Sequence, residues 1–107
     1  MRRGDLVTAV FPGDYGKPRP GLVIQGDAFS ESISITLLPL TSDLYSAHLV
    51  RIMVEPDADN GLERRSQIMI DKPMTLSRSK VRGRIGQIDA AIMRRVNTAL
   101  AHFLELA

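Results

Sequence analysis

The hydrophobic period of this chain changes once, near Asp89, and that change limits the folds open to it. Before Asp89 the apolar residues fall in short runs separated by turns rich in proline, glycine and aspartate, which is typical of β-strands. Asp89 itself is a good helix N-cap. Beyond it the apolar residues recur at helical spacing, at Ile92, Val96, Leu100, Phe103 and Leu104. Antiparallel strands followed by one amphipathic helix predict a mainly β fold, a small twisted sheet or partly open barrel on which the C-terminal helix packs.

The predicted strands cover residues 6–11, 21–25, 32–37, 48–54 and 67–71. The first strand ends at the loop 12–18, whose prolines and glycines cannot continue a β-ladder. The third strand alternates apolar and polar residues, which predicts a sheet with one buried face. Ser77 is a candidate N-cap for a short helical turn over residues 78–81.

The length of 107 residues predicts a single domain, spanning 1–107. A chain of this size buries a modest core, so pairing with a second copy would add stability. The sequence has no cysteine, which excludes disulfides and cysteine-ligated zinc, and neither His48 nor His102 has a second ligand at metal spacing. No metal or other cofactor is therefore expected. With no signal peptide and no apolar run long enough to span a membrane, the expected location is the cytoplasm.

Charged residues are unevenly distributed along the chain. Residues 27–63 contain seven acids and one base, Arg51, whereas residues 64–84 contain seven bases and one acid, Asp71. The second stretch therefore has an excess of six positive charges, seven bases less one acid. Two interpretations remain open for it: a binding surface for a polyanion, or a solvated basic loop and helix face.

Four segments of the sequence together resemble one family. They are RGDLV at residues 3–7, RPGLVI at 19–24, LPLTS at 38–42 and SQIMIDKPMT at 66–75. In this order, and followed by the amphipathic helix, they resemble the MazF/PemK family of toxins. The resemblance implies an SH3-like small barrel of the MazF/PemK/CcdB plasmid-toxin type, and a homodimer.

The resemblance also implies an activity and a partner. It implies the toxin of a type II toxin–antitoxin system, an endoribonuclease that cleaves single-stranded RNA at selected sequences without a metal. Such cleavage would inhibit translation and growth. A cognate antitoxin would neutralise the toxin through an acidic, disordered segment.

Arg19 is the first candidate catalytic residue. Its guanidinium can present two N–H groups to phosphate oxygens, and Pro18 and Pro20 restrict the backbone on both sides. Taken from the residues alone, an arginine that begins an edge strand and points into solvent is the simpler interpretation. The resemblance places the catalytic arginine of the family at Arg19.

Thr41 and Asp71 complete the candidate catalytic set. The Thr41 hydroxyl can donate to a phosphate oxygen, although a threonine at a strand end also commonly bonds its own backbone. The resemblance makes Thr41 catalytic and assigns Asp71 to proton transfer. The PemK-like branch has an arginine two residues before this aspartate, whereas here that position is Met69. A structural aspartate in the turn before Pro73 is the alternative.

The residues predicted to bind RNA are Tyr15, Lys17, Ser42, Lys80, Arg82 and Arg84. Tyr15 offers a ring on which a base can stack. Lys17 and Ser42 lie in the two loops expected to set base selectivity. The other three belong to the basic stretch, which is expected to serve RNA and the acidic segment of the antitoxin in turn.

Two other functions fit the same predicted fold. The first is a non-catalytic CcdB-like toxin that binds DNA gyrase through its C-terminal residues, where a tryptophan is important. This chain has no tryptophan, which argues against that function. The second is a non-catalytic SH3-like interaction module, because such barrels host many binding functions.

Overall fold

The computed structural model describes residues 1–47 and 49–106. Its strands and helix are β1 (Asp5–Val10), β2 (Pro18–Val23), β3 (Ser34–Thr41), β4 (Arg51–Val54), β5 (Ser66–Met69), β6 (Met74–Ser77), β7 (Val81–Gln87) and α1 (Ala90–Phe103). The strands pair antiparallel in the order β4-β5-β3-β2-β1-β7, and β6 pairs with the first half of β3. Within the described residues no pairing joins β4 to β7, so the sheet is open.

Strand β3 connects two halves of this sheet, one formed by β1, β2, β6 and β7 and the other by β4 and β5. Over residues 37–39 it pairs with β2 on one edge, and over residues 34–37 with β6 on the other. Its last two residues pair instead with β5. The predicted strand ended at residue 37, but β3 continues to Thr41 through Pro39, which is buried opposite Gly21 of β2. The end of β3 therefore lies where the two halves of the sheet diverge.

Apolar side chains pack against both faces of the sheet. Because successive side chains of a strand point to opposite faces, Leu38 joins a cluster with Val96 and Leu100 of α1. Its neighbour Leu37 joins a second cluster that includes Val7 of β1. Burial alternates as expected over residues 34–37, but from Leu37 to Leu40 every residue of β3 is buried, so the expectation of one buried face is wrong for the second half of this strand.

The C-terminal helix follows its prediction. The Asp89 carboxylate caps it by accepting a hydrogen bond from the Ile92 backbone N–H over 2.7 Å. Val96 and Leu100 of its apolar side are buried, whereas Phe103 and Leu104 at its end are 42% and 49% exposed. The helix therefore contributes fewer residues to the core than its sequence pattern suggests.

The strands β6 and β7 were not predicted. The sequence of β7 is VRGRIGQ, and its charges and glycines have low β-propensity. It forms a strand because it pairs with β1, with two shifts of register. The predicted fifth strand ends at Met69, since residues 70–71 form a turn towards β6.

Two further predictions are partly correct. The fourth strand begins at Arg51, because residues 49–50 form a turn, while His48 lies outside the described residues. The helical turn predicted after Ser77 is a single 3₁₀ turn, Arg78–Lys80, to which the Ser77 side chain contributes no capping hydrogen bond. Its hydroxyl lies 3.0 Å from that of Ser79 instead.

The loop between β4 and β5 is braced internally by Asn60 and joined to β7 by a backbone hydrogen bond. The buried Asn60 side chain donates to the Glu55 carbonyl over 2.9 Å and accepts from the Leu62 N–H over 3.0 Å. The Gln87 N–H of β7 donates to the Asp59 carbonyl over 2.9 Å. This contact between backbones is close because a glycine, Gly86, lies beneath the loop, and a Cβ there would overlap the carbonyl groups of residues 59 and 60.

Replacement of Gly86 by alanine is expected to lower the free energy of unfolding by about 1–3 kcal/mol, since the loop must move away from β7. The matched control is Gly83→Ala on the same strand, where an added Cβ has no neighbour within 4 Å among the described residues. That control should change stability by less than about 0.5 kcal/mol. Urea unfolding of both variants checks this, and equal stabilities would contradict the close approach.

Candidate active site

A groove of about 700 Å³ lies where the two halves of the sheet diverge. Its walls come from the β1–β2 loop and the start of β2, from the end of β3 with the turn after it, and from the chain on either side of β5. Prolines form much of the first wall, and they give it a rigid backbone. The groove is therefore a concave surface built from loops that the sheet holds in place.

Arg19 lines this groove from the start of β2. The strand pairing places it opposite Ala9 of β1, between Pro18 and Pro20. Its side chain is 46% exposed, and its Nε lies 3.9 Å from Oδ1 of Asp14 in the β1–β2 loop. At that distance the ion pair is loose, so the N–H groups of Arg19 remain accessible to an anion in the groove.

Thr41 and Ser42 line the groove from the end of β3. The Thr41 Oγ1 accepts a hydrogen bond from the Asp43 backbone N–H over 3.0 Å. This is the local turn contact that the sequence offered as an alternative to catalysis. Because a hydroxyl both accepts and donates, its proton remains free to donate to a ligand in the groove.

Asp71 is placed differently from Arg19 and Thr41. It does not line the groove, whereas Met69 and Lys72 on either side of it do. Its Oδ2 lies 3.6 Å from the Lys72 Nζ. Its Oδ1 is buried and has no hydrogen-bond partner among the residues described. Asp71 is therefore next in sequence to a residue of the groove wall, Lys72, but is not itself part of that wall.

The predicted RNA-binding residues fall into three places. Lys17 lines the groove with Ser42. Tyr15 is fully exposed at the tip of the β1–β2 loop, with a positive φ of 52°. Lys80, Arg82 and Arg84 lie outside the groove, on the 3₁₀ turn and on β7.

Four arginines of the basic stretch already have partners within the chain, namely Arg65, Arg78, Arg82 and Arg84. Arg84 pairs through its Nε with Oδ1 of the buried Asp5 at 3.2 Å. Arg82 donates from a terminal guanidinium nitrogen to the Ser79 carbonyl over 2.8 Å. Arg84 therefore helps to neutralise a buried carboxylate, a role that the charge count did not indicate.

Several charged residues of the groove were not assigned to it from the sequence. Its charged side chains are Lys17, Arg19, Arg64, Lys72, Asp14, Asp43 and Glu63. Cations outnumber carboxylates in this set by four to three, so the groove is mixed rather than uniformly basic. Arg64 and Lys72 belong to the basic stretch, and that excess of positive charge was the only feature of the sequence that pointed to them. The carboxylates come from three separate segments, which only the fold brings together.

The turn after β3 is anchored by two buried polar residues. Gln67 of β5 and Arg51 of β4 are 6% and 8% exposed. One terminal nitrogen of the Arg51 guanidinium donates to Gln67 Oε1 over 3.0 Å and to the Asp43 carbonyl over 3.3 Å. Since Asp43 lines the groove, this network fixes that wall to the sheet beneath it.

The described residues contain neither a metal-binding cluster nor a membrane-spanning helix. In residues 1–47 and 49–106, no group of three or more His, Cys, Asp or Glu side chains is arranged to hold a metal ion. No helix in the same residues is long and apolar enough to cross a membrane.

Comparison with known proteins gives one consistent family. A family model described as a PemK-like, MazF-like toxin of type II toxin–antitoxin systems matches residues 2–104. A probable endoribonuclease MazF from Mycolicibacterium smegmatis is 44% identical over 108 residues, which cover 100% of this chain and 99% of that protein. Endoribonuclease MazF6 from Mycobacterium tuberculosis is 29% identical over 92 residues, or 84% of this chain and 81% of that protein.

Solved structures share the fold. An endoribonuclease in complex with its cognate antitoxin, from a mycobacterial species, has a TM-score of 0.84 at 21% identity and covers 100% of this chain and 97% of its own. The Mycobacterium tuberculosis toxin MazF-mt6 has a TM-score of 0.82 at 20% identity, over 96% and 98% of the two chains. The predicted SH3-like, mainly β fold with a C-terminal helix is thus confirmed. Since the family match runs through nearly the whole sequence, the chain belongs to the PemK-like, MazF-like toxins of type II toxin–antitoxin systems.

Proposed function

We propose that this toxin is an endoribonuclease that cleaves single-stranded RNA at selected sequences without a metal ion, and thereby inhibits translation and growth. The observation that carries the proposal is the meeting of Arg19 and Thr41 in one groove of about 700 Å³. The relative at 44% identity, a probable endoribonuclease, supports it. The family match does not favour a gyrase-binding toxin or a non-catalytic module.

The chemistry needs no metal-bound water, because the substrate supplies its own nucleophile. The 2′-hydroxyl attacks the adjacent phosphorus, the bond to the 5′-oxygen breaks, and the products carry a 2′,3′-cyclic phosphate and a 5′-hydroxyl. The protein must accept the proton of the 2′-hydroxyl, return a proton to the leaving oxygen and stabilise the phosphorane. Proton transfer by a positioned group contributes typically about 10²–10⁴-fold.

Arg19 would bind the scissile phosphate. Its loosely paired guanidinium can give two N–H groups to two phosphate oxygens, and its charge offsets the charge added to the phosphorane. Thr41 would donate its free hydroxyl proton to an oxygen of the same phosphate. The Asp43 N–H holds the Thr41 Oγ1 in place for this contact.

Asp71 would take part in proton transfer after a local rearrangement. It is separated from the groove by its contact with Lys72, whose side chain does line the groove. An RNA phosphate that binds Lys72 would compete with Asp71 for the ammonium group. The carboxylate, with its unpartnered Oδ1, would then be available to the reacting groups.

The remaining contacts with RNA would be distributed over three surfaces. Lys17 would bind a neighbouring phosphate, and Ser42 would contact a base edge, because both line the groove. Tyr15 is free to stack on a base at the tip of its loop. Lys80 and Arg82, with Arg84, would attract the RNA electrostatically from outside the groove.

We also propose two protein partners, a second copy of the chain and a cognate antitoxin. The end of the helix exposes Phe103, Leu104 and Leu106, which a homodimer would cover. An antitoxin with an acidic, disordered segment would fit the basic surface and cover a long groove on ordering. The cytoplasm, where RNA is accessible, is the compartment we propose.

Cleavage is expected to proceed at the same rate with and without EDTA, because the 2′-hydroxyl is the nucleophile. The products of a defined RNA, separated by electrophoresis and mass spectrometry, should carry 2′,3′-cyclic phosphate and 5′-hydroxyl ends. An RNA with a single 2′-deoxynucleotide before the scissile phosphate should resist cleavage. Loss of activity in EDTA that Mg²⁺ restores would overturn this mechanism.

The Arg19→Ala variant is expected to lose about 10²–10³ in cleavage rate and to remain folded, since it removes one preorganised donor to the phosphorane. Thr41→Ala should lose less, because a neutral hydroxyl stabilises this charge less than a guanidinium does. Arg94→Ala, on the exposed side of α1, removes the same charge away from the groove and is the control. Single-turnover rates separate these results, and near wild-type cleavage by Arg19→Ala would show that Arg19 is structural.

The double variant Lys80→Ala, Arg82→Ala is expected to associate more slowly with both RNA and the antitoxin, with a weaker dependence on salt. Arg84 is left in place, because it pairs with the buried Asp5. The Arg94→Ala, Arg95→Ala variant is the charge-matched control. Stopped-flow association at several salt concentrations checks this, and unchanged salt slopes would mean that these residues are only a solvated surface.

A further inference from the structure

Tyr45 is an exposed aromatic residue whose backbone is held in place. It is 58% exposed and follows Asp43, a residue of the groove wall, by two positions. The side-chain amide of Gln67 binds both of its backbone groups. The Tyr45 N–H donates to Gln67 Oε1 over 3.3 Å, and Gln67 Nε2 donates to the Tyr45 carbonyl over 2.9 Å. The chain at Tyr45 is therefore fixed to β5, although it belongs to a loop.

The ring of Tyr45 is also held. The central carbon of the Arg51 guanidinium, Cζ, lies 4.0 Å from the ring centroid, in cation–π contact. Arg51 is 8% exposed, and it forms no ion pair with a carboxylate of the described residues. The hydrogen-bond acceptors around it are the neutral oxygens of Gln67 and Asp43. One side of the ring is thus covered by a buried cation, and more than half of Tyr45 is exposed to solvent.

Other exposed aromatic residues lack this arrangement. Tyr15 is fully exposed at a loop tip, and Phe29 is 65% exposed on a 3₁₀ turn outside the groove. Ordering a side chain on binding costs free energy, so a ring that is already fixed binds a flat ligand at lower cost. Tyr45 combines exposure with a fixed position, and it follows Asp43 of the groove wall by two positions in the chain.

We propose that Tyr45 is a stacking platform for one base of the single-stranded RNA, at the point where the strand leaves the groove past Ser42 and Asp43. This inference rests on the proposed function and adds a substrate-binding residue to it. Every base has a π-face, so stacking needs no particular hydrogen-bonding pattern and depends mainly on the area of the ring. The base would form the outer layer of a stack whose inner layers are Tyr45 and the guanidinium of Arg51.

The test is a thermodynamic cycle between Tyr45 and individual bases. The probe is an RNA that the wild-type protein cleaves, made uncleavable by one 2′-deoxynucleotide before the scissile phosphate. A set of such probes carries one abasic nucleotide at each position in turn. Affinities of the wild-type protein, Tyr45→Ala, Tyr45→Phe and the control Phe29→Ala are measured for every probe by fluorescence anisotropy.

At one position outside the scissile step, the abasic probe is expected to bind the wild-type protein at least about fivefold more weakly than the intact probe. Tyr45→Ala should bind the intact probe more weakly by a similar factor and should not distinguish the two probes at that position. Tyr45→Phe and Phe29→Ala should behave as the wild type does, because the first keeps the ring and the second lies elsewhere. A purine at that position should bind more tightly than a pyrimidine.

Two results would overturn the stacking proposal while the proposed function stands: an undiminished abasic effect in Tyr45→Ala, or a conversion of dimer to monomer in that variant by sedimentation. The second result would make Tyr45 an interface residue between copies. A wild-type protein that neither cleaves nor binds single-stranded RNA would overturn the proposed function itself, and the stacking proposal with it.

Discussion

The path of β3 is the constraint on which the rest of this structure depends. Its first residues pair with β2 and β6, and its last two pair with β5, so one strand belongs to both halves of the sheet. Along the same strand, Leu37 and Leu38 enter hydrophobic clusters on opposite faces. Thr41 then ends the strand where the halves diverge, which is where the groove opens. The fold and the groove therefore share one cause.

Two of the groove walls are loops that buried or partly buried polar contacts hold in place. Arg51 and Gln67 fasten the turn after β3. Asn60 and the backbone contact with β7 fasten the segment before β5. Such contacts satisfy polar groups that burial would otherwise leave unpaired, and each unpaired group would cost about 1–3 kcal/mol. The turn after Thr41 is therefore held before any ligand binds, whereas the Arg19 side chain is only loosely paired.

Much of the fold followed from the sequence, because its signals were local. Asp89 and the apolar spacing after it predicted the helix. The prolines and glycines of residues 12–18 predicted the loop that precedes Arg19. Strand β7 was not predicted, because its residues have low β-propensity and form a strand only by pairing with β1. Arg19 and Thr41, which the resemblance makes catalytic, line one groove with Lys17 and Ser42, whereas Asp71, which it also makes catalytic, lies outside the groove. The roles of these residues stay predictions. The structural role of Arg51 could not be predicted, because its buried hydrogen bond is to Gln67, sixteen residues away in the sequence. In the sequence it was only the one base among seven acids.

The central claim is that RNA lies in the groove between the two halves of the sheet, with its scissile phosphate at Arg19 and Thr41. The most direct measurement is a titration of ¹⁵N-labelled protein with an RNA substrate made uncleavable by one 2′-deoxynucleotide, followed through the backbone amide resonances. The account predicts that the largest shifts occur at Arg19, Thr41 and Ser42, with smaller shifts at Arg64 on the facing wall. Shifts centred instead on a second, shallower cavity, lined by Met1, Arg2, Ser30 and Ser79 among others, would contradict it.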